Sequence, residues 1–473
     1  MTTTSPPVPA SAGTTAPAAD RRLHPVALTA ALGALMVPIM SFFSVNVALG
    51  EIGVELGASP GMLQLVVGAY GVMYASLVVI GGRLGDSHGR KRMLVLGLAA
   101  FAATSLVCAV AQSPAQLVGA RFLQGVSAAL VAPQVLASIH ANTDGDHRTR
   151  ALAWFGATAG IATSLAFLLG GSLAGSDLGW RSVFWVNLPL AAVVLLAVAR
   201  WLPESKAPSR TSLDWTGAGL LFVTMTLLIL PLTEGRALGW PAWTWISLAA
   251  VPVAGAALVG WQRRTERGGG LPLVPPSLFR FRSIAVGLGV ATPMFVTFGG
   301  FMFVYSYMAG AHGLTPLRIG LSLLPMSAAF LAASIAGGRL VPRYGASVLT
   351  AGSLIAALGF AWLPRSLDGA GALAPFDPTD VALPMALAGL GLGLVWSPIM
   401  GVVLSQVPGH LAGLGGGLLI TVMQAGLGFG SAVVGSVYLG WGVADGFART
   451  AYLLAAAMVV VAALTRLLGS RRA

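Results

Sequence analysis

Long apolar runs separated by short polar segments dominate the chain. Fourteen windows of 18 to 29 residues are almost free of charge, and a membrane-crossing helix needs about 20 mainly apolar residues. Transmembrane strands would instead alternate apolar and polar positions over about ten residues. The pattern therefore predicts fourteen transmembrane helices, over residues 26–50, 61–82, 93–112, 114–140, 151–174, 182–199, 215–233, 242–262, 283–311, 319–338, 346–364, 381–405, 412–438 and 447–465.

The composition excludes several classes of protein. Of the 473 residues, 56% are hydrophobic and only 9% are charged, whereas soluble domains carry roughly 25% charged residues. A soluble enzyme is therefore excluded, and a single cysteine, Cys108, excludes a disulfide scaffold. HxxxH, CxxC and phosphate-binding Gly-Lys-Ser/Thr motifs are absent from the sequence, so we predict neither enzymatic activity nor a metal or other cofactor.

Basic residues indicate how the chain is oriented. The net charge is +12, but the basic residues form short clusters between apolar runs and give no continuous patch for nucleic acid. With the N-terminus in the cytoplasm, 21 basic residues fall on the inner side, 5 on the outer side and Arg121 inside a span, which accounts for all 27. Cytoplasmic loops carry the excess of basic residues. We therefore expect a multi-pass protein of the cell membrane with both termini in the cytoplasm.

An internal repeat suggests a duplicated architecture. GRLGDSHG, from Gly82 to Gly89, and GRLVPRYG, from Gly338 to Gly345, share four of eight positions and each follows the second helix of a six-helix block. Repeated halves with a binding site between them are a recurring plan of transporters. The predicted organisation is a disordered cytoplasmic tail (1–25), a six-helix bundle (26–201), two additional helices with their loops (202–281), a second six-helix bundle (282–468) and a cytoplasmic tail (469–473).

Several motifs in order resemble those of the major facilitator superfamily, in its fourteen-helix drug:proton antiporter branch. They are GRLGDSHGRK (Gly82–Lys91), RFLQG (Arg121–Gly125), VNVAL (Val45–Leu49), WRSVFWVNLP (Trp180–Pro189) and LDWTGAGLL (Leu213–Leu221). The resemblance implies an all-α fold of two six-helix bundles plus two extra helices. It also implies a cytoplasmic gate in the first motif, formed by Gly82, Arg83, Asp86, Gly89, Arg90 and Lys91.

Two positions depart from the pattern of that branch. Ser41 stands where the first helix usually carries an acid, and Ala166-Phe167 stands where a Gly-Pro pair usually precedes Gly170-Gly171. All fifteen acidic residues fall in loops or at span edges, although a proton-coupled carrier needs a group that titrates while facing alternate sides. Three alternatives remain: coupling uses edge acids such as Asp86, the substrate itself carries the proton or charge, or the protein is an uncoupled facilitator.

Arg121 is the one charge well inside a span, and Gln124 shares its helical face. A central arginine costs roughly 2.5–3.5 kcal/mol on insertion scales, so it either faces a cavity or snorkels to the headgroups. Amides within spans are expected to point inward, either toward the cavity or into helix–helix hydrogen bonds. The predicted substrate and coupling cavity comprises Ser41, Asn46, Tyr70, Arg121, Gln124, Gln134, Phe167, Tyr305, Trp396 and Gln424.

One fixed positive charge and no fixed negative charge favour a neutral or anionic amphiphile over an organic cation. We therefore predict a monomeric secondary transporter that contacts membrane lipids and moves protons and a small molecule. Its expected substrate for export is a drug, antibiotic or secondary metabolite. Export and proton coupling follow from the resemblance. The alternatives are an uncoupled facilitator, an importer of a small organic solute, and a sensor built on a carrier fold.

Overall fold

The computed structural model describes residues 22–207, 212–367, 376–404, 406–407 and 412–468. Within these residues the fold is all-α, and fourteen helices are long and apolar enough to cross a membrane, as predicted. Residues 1–21 and 469–473 of the predicted tails lie outside the described residues. The helices are α1 (Pro25–Leu56), α2 (Pro60–His88), α3 (Arg90–Ala109), α4 (Pro114–Asn142), α5 (Gly145–Ala174), α6 (Gly179–Trp201), α7 (Trp215–Glu234), α8 (Ala242–Arg267), α9 (Arg282–Ala311), α10 (Pro316–Tyr344), α11 (Ser347–Trp362), α12 (Ala382–Leu404), α13 (Ala412–Trp441) and α14 (Val443–Arg466).

Local sequence explains where several helices begin. A hydroxyl residue followed by proline starts α2, α4 and α10, and the hydroxyl oxygens of Ser59, Ser113 and Thr315 accept a backbone N–H of the first turn. Such residues satisfy otherwise unpaired amides, and proline at the first helical position loses no hydrogen bond. All three starts lie on the side where α1 ends, which we call the second face. The side where α1 begins is the first face.

The two sets of six helices pack by the same pattern. In the first set α1 packs on α5, α2 on α4, α3 on α4 and α3 on α6; in the second, α9 packs on α13, α10 on α12, α11 on α12 and α11 on α14. The pattern repeats after eight helices, as expected for a duplicated unit. The repeated loop follows it, because Gly89 and Gly345 end α2 and α10 at φ 109° and φ 61°, a region that favours glycine.

The two sets meet along two seams, α2 against α13 and α5 against α10. Glycines bring the backbones close: a Cβ atom at Gly68 would lie 3.7 Å from the carbonyl oxygen of Gly428, and Gly320 packs directly against the Phe167 carbonyl. Small residues permit such close approach between membrane helices. α7 packs against α2 and α13, whereas α8 packs mainly on α7 and is largely exposed. The division of the chain into domains stays a prediction.

Candidate functional site

A group of aromatic side chains lies where the two sets of helices meet. The Phe43 ring on α1 lies 5.7 Å from the Phe298 ring on α9, and the Trp396 ring on α12 lies 5.6 Å from that of Phe298. Edge-to-face pairs at such centroid distances are favourable. We name this group the central aromatic cluster; it consists of Phe43, Phe167, Phe295, Phe298, Phe330 and Trp396.

The cluster draws on both halves of the molecule. Phe167 of α5 contacts Phe43 with 6.0 Å between ring centroids, while Phe295 and Phe330 lie 4.7 and 5.6 Å from Trp396. The five phenylalanines are buried, and Trp396 is half-buried. Sequence reasoning singled out Phe167 and Trp396 and missed the other four. The i, i+3 spacing of Phe295 and Phe298 on α9 was the available signal.

Arg121 lies fully buried within the first set of helices. Its Nε donates to the Val66 carbonyl oxygen over 3.0 Å, and its Nη1 donates to Oε1 of Gln124. The guanidinium carbon stands 4.4 Å above the centre of the Tyr70 ring, a cation–π contact of about 2 kcal/mol when desolvated. Nη2 is buried without a hydrogen-bond partner. The snorkelling alternative is thus excluded, and one donor of the guanidinium is free to bind an acceptor.

A path of aromatic rings joins this arginine to the central aromatic cluster. The Tyr70 ring lies 5.6 Å from the Phe42 ring, and the Phe42 ring lies 5.0 Å from that of Phe43. The Tyr70 hydroxyl donates to the Pro38 carbonyl oxygen over 3.2 Å, which fixes the ring between α1 and α2. The guanidinium and the cluster are therefore neighbours separated by two aromatic rings.

The other predicted cavity residues are spread over several helix contacts. Asn187 of α6 donates to Oγ of Ser41 over 3.1 Å, so Ser41 faces α6. Asn46 donates to the Phe42 carbonyl of its own helix, and Gln134 donates to the Gly81 carbonyl on α2. The contacts of Ser41 and Gln134 thus join two helices, whereas that of Asn46 stays within α1.

Tyr305 and Gln424 lie on helices of the second set, whereas Arg121 lies on α4 of the first set. The Tyr305 hydroxyl donates to Oγ of Ser322 over 2.7 Å, between α9 and α10. Gln424 lies on α13, where its backbone carbonyl oxygen would be 3.0 Å from a Cβ atom at Gly71 on α2. Of the ten predicted residues, the structure brings Tyr70, Arg121 and Gln124 into one group and Phe167 and Trp396 into another. Their roles in transport stay predictions.

The predicted gate loop is bound to neighbouring segments at the first face. Asp86 at the end of α2 and Arg90 at the start of α3 form an ion pair of 2.8 Å, and Arg90 also donates to the Ala137 carbonyl on α4. The Glu204 carboxylate accepts the backbone N–H groups of Lys91 and Arg92, at 3.0 and 3.2 Å. This places a negative charge at the start of α3, where the helix dipole favours it. Sequence reasoning missed Glu204, whose partners lie far from it in the chain.

Glycines of the gate loop allow this close packing. A Cβ atom at Gly89 would lie 2.9 Å from the Glu204 carboxylate, and one at Gly82 would lie 3.4 Å from Cβ of Pro133. Lys91 enters the contact through its backbone amide. The contacts above join the loop to α3, α4 and the segment after α6, none of which belongs to the second set of helices. A gating role for the loop therefore stays a prediction.

Arg83 of the same loop holds the segments that flank the two additional helices. Its guanidinium donates to the carbonyl oxygens of Ser212, Leu271 and Pro272 over 3.2, 2.7 and 2.7 Å. The buried Asp214 carboxylate accepts from Leu273 N–H over 2.9 Å. The same carboxylate caps α7 through the Gly217 N–H and accepts from the Trp261 indole on α8. Arg83 and Asp214 thus fasten the α7–α8 pair to α2.

The described helices define a polytopic membrane protein built from two equivalent six-helix units and one inserted pair. The sequence matches the Major Facilitator Superfamily over residues 31–431, and the chain belongs to this family. Its fold is similar to that of the human organic anion transporter MFSD10, with a TM-score of 0.64, 18% identity, and coverage of 93% of this chain and 99% of that one.

Relatives with higher identity are bacterial exporters and resistance proteins. The chain is 35% identical to a probable actinorhodin transporter of Streptomyces coelicolor, over 94% of this chain and 79% of that protein. It is 32% identical to the multidrug resistance protein Stp of Mycobacterium tuberculosis, over 87% of this chain and 75% of that protein. It is 30% identical to the tetracenomycin C resistance and export protein of Streptomyces glaucescens, over 88% of this chain and 76% of that protein.

Proposed function

We propose that this chain exports a small amphiphilic compound by alternating access, driven by the proton gradient across the cell membrane. The observation that carries the proposal is the central aromatic cluster, which takes side chains from both halves at the place where they meet. A ligand bound there contacts both units, so its binding energy can bias how they pack against each other. The first face is then cytoplasmic, and both termini lie on that side.

The proposed substrate is a drug, antibiotic or secondary metabolite that is neutral or anionic. Aromatic faces bind flat apolar rings, and the unpaired Nη2 of Arg121 favours a carbonyl or anionic oxygen nearby. The central aromatic cluster contains no carboxylate to neutralise a bound cation. The names of the relatives agree with export of antibiotics or secondary metabolites and do not bear on the charge, because they include transporters or resistance proteins for actinorhodin, tetracenomycin C and puromycin.

Alternating access requires the two seams to open and close. Glycine contacts at Gly68 and Gly171 make the packing of α2 on α13 and of α5 on α10 close but weakly interlocked. At the cytoplasmic face, Gly82, Arg83, Asp86, Gly89, Arg90 and Lys91 form the proposed gate. Its contacts to Glu204 and to the α7–α8 pair keep the loop ordered while the halves move.

Flux through the purified protein in proteoliposomes tests this proposal. The probes are tetracenomycin C as a neutral aromatic compound, a cephamycin as an anion, and tetraphenylphosphonium as a permanent cation. We expect the imposed pH gradient to drive accumulation of one of the first two probes and not of the cation. Downhill flux that ignores the gradient would instead identify an uncoupled facilitator. Transport of the cation alone would contradict the proposed substrate class.

A further inference from the structure

Three helices meet at the second face, where the seam between α2 and α13 is closed. The Ser436 hydroxyl of α13 donates to the Leu232 carbonyl oxygen of α7 and lies 3.3 Å from Oε1 of Gln64 on α2. A Cβ atom at Gly435 would lie only 2.6 Å from Nε2 of Gln64. The Gln64 amide is therefore held against the second half of the molecule. We call this contact, together with Glu234 at the end of α7, the three-helix junction.

Two polar atoms of the junction are buried without partners, and they are chemically complementary. Oε1 of Glu234 is buried with no donor, and Nε2 of Gln64 is buried with no acceptor. Oε1 of Glu234 lies 2.6 Å from where a Cβ atom of residue 61 would be, so Gly61 makes room for the carboxyl. Residues 61 and 64 share one face of α2 because they are three positions apart. The acid and the amide thus face the same stripe of α2.

Burial of one oxygen without a donor disfavours the ionised form of this carboxyl, because a buried charge needs a partner. A neutral carboxylic acid fits the closed junction better. If α13 withdraws, Gly435 and Ser436 leave Gln64, so the amide can turn and its unpaired Nε2 can donate to Oε1 of Glu234. Such a hydrogen bond stabilises the carboxylate. Proton binding and closure of the seam would then favour each other, as linked equilibria must.

Other titratable groups near this face have different surroundings. On α13, the Tyr438 hydroxyl is buried without a partner, and Arg236, just beyond α7, lies near Gly440. On α1, Glu55 pairs with Arg181. The first turns of α2 and α8, over residues 60–68 and 242–250, contain no titratable residue. In α4, which contacts α7 through its aromatic residues, the one charged side chain of residues 114–125 is the arginine bound to Gln124.

We propose that Glu234 is a proton-binding site that controls opening of the α2–α13 seam at the second face. It is protonated when the three-helix junction is closed, and it loses its proton to solvent and accepts a hydrogen bond from Gln64 when the junction opens. The inference rests on the proposed function, since a moving seam is what it regulates. Acid on the second face would then favour closure of that face.

Disulfide formation across the seam tests the proposal without any substrate. A Cβ atom at position 68 would lie 3.8 Å from Oγ of Ser431, so cysteines at the two positions would face each other at close range across the seam. The parent protein therefore carries Gly68→Cys and Ser431→Cys, with the single native cysteine removed by Cys108→Ala. The purified protein is oxidised with copper phenanthroline over a series of pH values, and the extent of cross-linking is measured.

We compare the parent with the same protein carrying Glu234→Gln, so the pH dependence of thiol oxidation is common to both. The two should cross-link equally in acid. At alkaline pH the parent should cross-link at least about threefold more slowly, because its ionised carboxylate favours the open junction. Glu51→Gln is the matched control, since Glu51 also has a buried oxygen without a partner but lies on α1. It should behave like the parent.

Gln64→Met provides a second variant in case Glu234→Gln fails to fold. Without the amide donor, the alkaline loss of cross-linking should move to higher pH. The proposal is overturned if parent and Glu234→Gln show the same pH dependence, or if Glu51→Gln reproduces the effect of Glu234→Gln. A pH-dependent seam in a protein that carries none of the three probes would count against the proposed function and would still support proton control of the seam. Flux through a protein whose seam cross-links equally at every pH would support the proposed function and overturn this inference.

Discussion

The crossing of α2 with α4 and the crossing of α10 with α12 occupy equivalent places in the two halves. In each crossing a glycine of the later helix packs directly against a carbonyl oxygen of the earlier one. Gly125 lies against Tyr70, and Gly389 lies against Met326. Close packing of backbone on backbone is therefore a property that the two six-helix units share.

One helical turn earlier the two crossings differ. Arg121 donates to the Val66 carbonyl in the first half, whereas the second half has the buried Met385 four residues before Gly389. The same place thus holds a buried cation in one half and a buried apolar side chain in the other. The comparison teaches that the repeat conserves the geometry of the helices, while the chemistry is confined to one copy.

The repeated loop shows the same division. Arg83 is 5% exposed and binds the segments around the α7–α8 pair, while Arg339 in the second copy is exposed. Both loops end in a glycine of positive φ. The additional helices are therefore fastened to the first copy, and the second copy keeps the turn without that contact.

Filling the glycine position of the second crossing should have the largest effect. Gly389→Leu puts a side chain where backbone atoms of α10 lie, which costs about 3 kcal/mol or more because helices must separate. We expect little monodisperse protein from detergent extracts in size-exclusion chromatography. Gly338→Leu is the control, since no atom lies within 4 Å of its Cβ position. Normal recovery of the Gly389 variant would mean that the crossings are not equivalent.

Removing the cation of the first crossing should abolish most transport while the protein still folds. Arg121→Ala removes the unpaired Nη2 donor that we propose binds the substrate. A hydrogen bond from a charged group is worth about 1.5–3 kcal/mol, so probe flux in proteoliposomes should fall about tenfold or more. Arg121→Lys keeps the charge without the planar guanidinium, so its flux should lie between that of the native protein and that of Arg121→Ala. Arg318→Ala, at an exposed position, should leave the flux unchanged. Full flux from Arg121→Ala would remove the arginine from the mechanism.

Truncating the central aromatic cluster should weaken substrate binding to a smaller extent. Trp396→Ala removes ring contacts worth about 0.5–1.5 kcal/mol each, so we expect the KM of flux to rise about threefold to tenfold. Trp396→Phe should retain most of the affinity. Trp362→Ala changes a partly exposed tryptophan on α11 and serves as the control. An unchanged KM in Trp396→Ala would place the binding site elsewhere.

The two copies of the loop arginine should differ modestly in stability. Arg83→Ala loses hydrogen bonds from a charged group, worth about 1.5–3 kcal/mol in total, and the Tm should fall by a few degrees. Arg339→Ala should leave the Tm as it is. Equal shifts in both variants would show that Arg83 does not fasten the additional helices. Thermal unfolding followed by the intrinsic tryptophan fluorescence provides the measurement.

The fold followed from the sequence because each apolar run contains enough residues to cross a membrane. Buried Arg121 and its partner Gln124 also followed, since a charge inside a span must find contacts within the protein. The partners of Arg83 and the junction at Glu234 did not follow. They join residues more than a hundred positions apart, such as Leu232 and Ser436, and hydrophobic patterning carries no information about which helices become neighbours.

Locking the α2–α13 seam tests the central claim, that transport requires the two halves to move against each other around the central aromatic cluster. Protein with Gly68→Cys, Ser431→Cys and Cys108→Ala is reconstituted, and flux is measured in the same vesicles before oxidation, after oxidation and after reduction. The account predicts that the disulfide stops flux and that reduction restores it. Undiminished flux through the fully cross-linked protein would contradict it.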